Sequence, residues 1–158
     1  MSRKIEISLE SYDSKTALSP DDRSLLDAAL AKLGTGHAPY SGFHVSAAVR
    51  TESGAIYVGT NQENASYPVG ICAERVVLSV SNMQSPGEAI LAMALVYRDP
   101  SGHNAQALAP CGMCRQGLRE QTYRQKQAIR LIMATEEGEI LATDNADELL
   151  PISFTLKP

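Results

Sequence analysis

All three cysteines of this chain lie in two short segments, and no other feature of the sequence constrains the fold as strongly. Cys72 stands in Ile71-Cys72-Ala73-Glu74-Arg75, and the other two stand in Pro110-Cys111-Gly112-Met113-Cys114. The 38 residues between Cys72 and Cys111 are enough for a helix, a strand and a loop. We therefore expect the rest of the chain to form a scaffold that brings the two segments together.

Three thiols match the ligand count of a catalytic zinc site. Structural zinc sites are closed by four protein ligands, whereas catalytic sites keep three and leave the fourth position to water. The three histidines of the chain have no ligand-like spacing to a cysteine. A zinc-bound water has a pKa of about 7, and a nearby glutamate that does not bind the metal can carry its proton. The pattern predicts one zinc per chain, bound by Cys72, Cys111 and Cys114, with Glu74 as the catalytic acid and base.

Each segment alone has a simpler interpretation. A lone Cys-x-x-Cys is typical of a redox pair or of half a structural zinc site. Cys72 alone is compatible with a small core residue. The combination, with Pro110 in place, favours an enzyme, because zinc-dependent deaminases carry a ligand-x-Glu segment followed by Pro-Cys-x-x-Cys. The alternative from another class is a non-catalytic, zinc-stapled interaction module, which predicts a fourth protein ligand and no role for Glu74.

Both cysteine segments are predicted at helix starts. The helical spacing of Ala73, Val76, Val77 and Val80 places Cys72 at or near a helix N-terminus. Pro110 precedes a second helix that runs to about Tyr123. The partial positive charge of two helix N-termini would stabilise thiolates. Arg75 is the candidate donor to the sulfurs, and its alternative is an exposed helix residue.

Length and composition limit which classes of protein the chain can belong to. The length of 158 residues predicts one domain, and the net charge of −4 argues against a nucleic-acid partner. No run approaches the length of a membrane helix. The odd cysteine count and the lack of a secretory segment lead us to expect a reducing, cytoplasmic location. A basic cluster after the cysteine pair is interpreted as a solvated helix face or a subunit contact: Arg115, Arg119, Arg124, Lys126 and Arg130.

The order of predicted elements indicates an α/β fold, a three-layer sandwich around a mixed sheet of roughly five strands. Residues 1–18 are predicted as an N-terminal extension with an edge strand within 3–12, and 19–158 as a zinc-dependent deaminase domain. Ser19 caps a helix that ends near Gly34. The predicted strands are 45–49, 56–58, 90–96, 129–134 and 140–141.

Asn61 and Glu63 alternate across Gln62, so they project to one side if the second hairpin strand continues. An amide and a carboxylate there can hold a sugar hydroxyl. Turn chemistry for Asn61 and a solvent-facing charge for Glu63 explain the same residues equally well. Phe43 is predicted either as a core residue or as a ring that stacks on a flat substrate.

Five motifs, taken together, resemble a known family. They are Ala38-Pro39-Tyr40-Ser41 with Phe43, Asn61-Gln62-Glu63-Asn64-Ala65, Cys72-Ala73-Glu74-Arg75, Pro110-Cys111-Gly112 with Cys114-Arg115-Gln116, and Glu148-Leu149-Leu150-Pro151. In this order, over roughly residues 20–154, the chain resembles cytidine deaminases of the small, homotetrameric, three-cysteine type. Ser46, where a glycine is common, and the first 18 residues depart from that pattern.

The resemblance implies hydrolytic deamination of cytidine and 2′-deoxycytidine to the uridines, with release of ammonia, in pyrimidine salvage. It implies that Asn61 and Glu63 hold the ribose 3′-hydroxyl and that Phe43 stacks on the pyrimidine. It adds Gln62, Ala73 and Tyr67 to the substrate-binding residues. It also implies a homotetramer with shared active sites, in which Tyr67 and Phe154 reach a neighbouring site. A blasticidin S deaminase is the alternative, against which the Asn61-Gln62-Glu63 sugar contacts argue.

Overall fold

The computed structural model describes residue 2 and residues 4–156 of the chain. Positions 1, 3, 157 and 158 lie outside the described residues. They include the start of the predicted N-terminal extension, position 3 of its predicted edge strand and the end of the predicted deaminase domain. The described residues form six strands and three α-helices, in this order: β1 (Glu10–Tyr12), α1 (Pro20–Leu30), β2 (His44–Thr51), β3 (Ile56–Thr60), α2 (Ala73–Gln84), β4 (Ile90–Arg98), α3 (Gly112–Gln125), β5 (Arg130–Thr135) and β6 (Ile140–Thr143).

The strands form one mixed sheet in the order β1-β6-β5-β4-β2-β3. Among the strands that the structure describes, β4 and β5 are the one parallel pair, and α3 connects them. The predicted hairpin is present, with β2 and β3 antiparallel in a register that pairs Ala48 with Val58. The five strands predicted for the main domain are confirmed. The sixth is β1, which lies within the predicted extension and pairs with β6 at the sheet edge.

Helices cover both faces of the sheet, which confirms the three-layer sandwich. On one face, α1 packs Leu25, Leu26 and Ala29 against small apolar side chains of the central strands. On the other face, α2 and α3 pack Val77 and Leu118 against a second apolar cluster. Burial of apolar area on both faces is the main favourable term for such a fold.

The helix ends follow the local sequence. The side chain of Ser19 accepts a hydrogen bond from the Asp22 N–H, with Pro20 at the first helical position of α1. After α1 ends at Leu30, turns continue to Gly34, whose φ of +88° favours glycine. No helix among residues 4–156 has the length and apolar character needed to span a membrane.

The close approach of α2 to the sheet depends on Gly59 of β3. A Cβ atom at this position would lie 2.6 Å from the Val77 backbone nitrogen and 2.8 Å from the Ala73 carbonyl oxygen. The first two turns of α2 therefore rest directly on the backbone of β3. This contact determines where the first cysteine segment lies.

Candidate active site

The three cysteines meet at the starts of α2 and α3. Cys72 is the N-cap residue of α2, and Cys111 is the N-cap residue of α3. Their Sγ atoms are 3.9 Å apart, and the Cys111 and Cys114 Sγ atoms are 3.5 Å apart. All three sulfurs lie within 4.8 Å of one another.

This spacing fits a zinc ion. Tetrahedral ligands at a zinc–sulfur distance of about 2.3 Å are separated by about 3.8 Å. Among the described residues, the cluster contains three potential ligands, Cys72, Cys111 and Cys114, and no fourth histidine, cysteine or carboxylate. The donor set therefore fits a zinc site with one position left for a non-protein ligand.

The thiols have unequal surroundings. Burial raises the pKa of Cys72 and of Cys114, and the charge of Glu74 acts in the same direction. Burial also acts to raise the pKa of Cys111, but hydrogen bonds from the Cys114 N–H and the neighbouring thiols outweigh it and lower the pKa. A bound cation favours the thiolate form of all three, and the dipoles of α2 and α3 add to this effect.

Glu74 lies in the first turn of α2 and is only 4% exposed. Burial raises the pKa of its carboxyl group, while a backbone N–H and contact with Cys114 lower it. Glu74 also lines a cavity of about 570 Å³, together with Cys72, Ala73 and Cys111. A buried carboxylate next to a thiol cluster thus faces a space within the usual size range of ligand pockets.

The predicted sugar-binding residues line the same cavity. Asn61, Gln62 and Glu63 follow β3, and Tyr67 stands near the mouth, where it is 77% exposed. The Tyr67 ring makes an edge contact with Tyr40, with ring centroids 6.2 Å apart. The structure therefore brings this predicted group next to the cysteine cluster, and the substrate contacts stay predictions.

Two predicted residues lie elsewhere. Phe43 is not among the residues that line the cavity, and its ring stacks on Tyr97 with centroids 5.3 Å apart. Arg75 lines a separate groove of about 220 Å³ between α2 and α3, beside Gly117 and Glu120. The contact of Phe43 with a base and the contact of Arg75 with a sulfur stay predictions.

Two residues that build the site were not predicted to do so from the sequence. Arg115 donates to the Pro110 carbonyl oxygen at 2.7 Å and to the Leu149 carbonyl oxygen at 3.0 Å. It thereby ties the turn before Cys111 to the C-terminal part of the chain. The hydroxyl of Ser41 donates to the carboxylate of Glu63. The Arg115–Leu149 and Ser41–Glu63 contacts have no local signal, because each joins segments distant in sequence.

Comparison with known proteins agrees with this geometry. The sequence model of the cytidine and deoxycytidylate deaminase zinc-binding region matches residues 19–129. A cytidine deaminase of Mycobacterium tuberculosis is 40% identical over 84 residues, which are 53% of this chain and 59% of that relative. The chain thus matches less than two thirds of that relative's length.

Two further similarities bear on fold and substrate. A crystal structure of cytidine deaminase from Burkholderia pseudomallei matches with a TM-score of 0.71 and 36% identity, covering 83% of this chain and 97% of that one. A blasticidin-S deaminase of Bacillus cereus is 30% identical over 114 residues, which are 71% of this chain and 77% of that relative.

Proposed function

Because the chain belongs to the cytidine and deoxycytidylate deaminase family, we propose that it is a zinc-dependent cytidine deaminase. It would hydrolyse cytidine and 2′-deoxycytidine to uridine and 2′-deoxyuridine, with release of ammonia. The observation that carries the proposal is the buried Glu74 beside the three-thiol cluster on the wall of a cavity of about 570 Å³. This position gives a proton carrier access both to the metal site and to a bound base.

The chain's own residues divide the reaction between them. Cys72, Cys111 and Cys114 would hold one zinc ion per chain, which would lower the pKa of a water molecule so that it can act as the nucleophile at neutral pH. Glu74 would take a proton from the attacking water and deliver it to the ring nitrogen of the pyrimidine, and it would later carry the proton of the newly added hydroxyl to the departing amine. Its burial excludes bulk water from this transfer. Ala73, also buried, lines the cavity between Cys72 and Glu74.

The cavity's charge favours a nucleoside over a nucleotide. Its lining includes the carboxylates of Glu63 and Glu74 but, among the described residues, no lysine or arginine. A 5′-phosphate would find no lysine or arginine there and would meet the Glu63 carboxylate. Asn61 and Glu63 offer an amide and a carboxylate to sugar hydroxyls, and Gln62 lines the same wall.

Shared active sites in a homotetramer form part of the proposal. Its support is the exposure of apolar side chains near the cavity mouth and in the C-terminal segment, where Tyr67 is 77%, Val69 63% and Phe154 67% exposed. A cytoplasmic location in pyrimidine salvage is also proposed. Three free cysteines, which persist in a reducing compartment, support it.

Two measurements test the activity. Ultraviolet absorbance follows conversion of cytidine to uridine, and metal analysis counts zinc per chain before and after treatment with a chelator. Glu74→Gln should keep zinc and lose at least a thousandfold in kcat, since it removes the proton carrier but not a ligand. Glu120→Gln, in the groove away from the cavity, should retain full activity and serves as the matched control. Unchanged turnover in the Glu74 variant would remove Glu74 from the mechanism.

A second candidate substrate is blasticidin S, which the similarity to the Bacillus cereus deaminase favours. Parallel assays with cytidine, 2′-deoxycytidine and blasticidin S decide between them. Bound zinc with turnover of blasticidin S alone would reject the cytidine proposal. Bound zinc without turnover of any of the three substrates would favour the alternative of a non-catalytic interaction module that zinc stabilises.

A further inference from the structure

The loop between α1 and β2 is bound to the two side chains proposed to hold the sugar. Asn61 accepts a hydrogen bond from the Val45 N–H at 2.9 Å and donates to the Phe43 carbonyl oxygen at 2.8 Å. Its amide is therefore fixed by backbone groups, and no substitution of a partner side chain can release it.

Glu63 is held differently. Its Oε2 accepts hydrogen bonds from the Tyr40 N–H at 2.9 Å and the Ser41 N–H at 3.3 Å. Its Oε1 accepts from the Ser41 hydroxyl. Both backbone donors therefore act on one carboxylate oxygen, and the hydroxyl of Ser41 is the donor to the other.

The direction of the Ser41 hydroxyl proton follows from its second contact. The Ser41 Oγ accepts a hydrogen bond from the Phe43 N–H at 2.9 Å. A hydroxyl has one proton to donate, and here the Glu63 carboxylate receives it. We propose that Ser41 is a positioning residue, which fixes the plane of the Glu63 carboxylate so that it accepts the 3′-hydroxyl of the nucleoside.

This role rests on the proposed function and concerns one end of the same cavity. Glu63 lies in an irregular segment and is partly exposed, so without a donor to Oε1 its carboxylate can rotate about the last side-chain bond. A rotating acceptor binds a hydroxyl less well because it must be ordered during binding. The zinc cluster and Glu74 are not part of this contact, so the chemical step should not depend on it.

The experiment compares Ser41→Ala with the wild-type enzyme on two ligands. For cytidine, KM should rise about tenfold with kcat changed less than twofold, as expected for loss of a hydrogen bond to a charged group. For 3′-deoxycytidine, which lacks the hydroxyl, the inhibition constant in competition with cytidine should change less than twofold. Ser41→Thr keeps the hydroxyl and should restore KM for cytidine to within about twofold of wild type.

Ser53→Ala is the matched control. The Ser53 hydroxyl donates to the Glu88 carboxylate at 2.6 Å in a turn remote from the cavity. The substitution therefore removes an equivalent serine–carboxylate hydrogen bond outside the site. Its KM should equal that of wild type. If Ser41→Ala weakened binding of cytidine and of 3′-deoxycytidine equally, or if Ser41→Thr did not restore KM, the proposed role of Ser41 would be overturned. The proposed function would still stand. Absence of turnover by the wild-type enzyme would overturn the proposed function and this role with it.

Discussion

Replacing Gly59 by alanine should both destabilise the protein and impair the site, because Gly59 is the point where α2 rests on β3. The added Cβ atom would lie 2.6 Å from the Val77 nitrogen, 2.8 Å from the Ala73 carbonyl oxygen and 3.0 Å from the Val77 Cβ. Two of these three atoms belong to the backbone, so no side-chain rotation relieves the contact. The helix itself must move.

The size of the effect follows from these distances. Ordinary contact for a Cβ atom begins at 3.4 Å, so α2 must retreat by about 0.8 Å. Overpacking of this kind costs about 1–3 kcal/mol in free energy of unfolding, and backbone contacts place it near 3. That cost lowers Tm by roughly 6–12 °C for a domain of this size. Because Cys72 and Glu74 stand at the start of α2, the displacement should lower kcat/KM about a hundredfold.

Thermal unfolding of the zinc-loaded protein and steady-state kinetics measure both effects. Gly117→Ala is the matched control, since a Cβ atom there meets only the Leu78 Cδ1 at an ordinary 3.7 Å. Gly117 lies inside α3, where alanine should raise the free energy of unfolding by about 0.5–1 kcal/mol. An unchanged Tm and kcat/KM in Gly59→Ala would refute the reasoning, as would equal destabilisation of the control.

Arg130 and its partners support two more expectations. Arg130→Met should lower the free energy of unfolding in urea by about 2–3 kcal/mol, because it leaves the buried Asp22 carboxylate without its ion pair. Lys15→Met, which breaks an exposed ion pair, is the control and should lower the free energy of unfolding by less than about 1 kcal/mol. Equal losses of stability in the two variants would contradict this account. Hydrogen bonds from Arg130 and Tyr12 lower the pKa of Glu10 below 4.5, so its contribution to stability is complete above pH 4.5 and is lost as pH falls through the lower folded value. Urea titrations from pH 6 to 3 should therefore show a shallower loss of stability in Glu10→Gln than in wild type; identical slopes would remove Glu10 from the acid response.

Local patterns predicted the elements well. The cap at Ser19 and the helix starts after Cys72 and Cys111 stand in the structure where sequence placed them. Capping and apolar periodicity are properties of neighbouring residues, so a single sequence contains them. The order of strands in the sheet could not be predicted in this way, because it depends on pairing between strands that are distant in sequence.

Contacts distant in sequence explain what was missed. The basic cluster was interpreted as a solvated face or a subunit contact, yet Arg115 ties Pro110 to Leu149. Arg130 binds Asp22 and Glu10, which lie 108 and 120 positions away. Composition shows five positive charges but not the carbonyls and carboxylates they meet. A basic run therefore predicts a surface, while the fold uses Arg115, Arg119 and Arg130 to join distant segments of the chain.

The two glutamates of the cavity show the same limit within the site. Glu63 is partly exposed, and donors from Ser41 and Tyr40 lower its pKa, which keeps it an acceptor. Glu74 is buried at the start of α2, beside sulfur atoms, and meets few donors. A carboxylate surrounded by donors suits the recognition of a hydroxyl, whereas one shielded from water beside a metal site suits proton transfer. The residue type is identical in both places, so the surrounding loop and helix are what would separate the binding role proposed for Glu63 from the proton transfer proposed for Glu74.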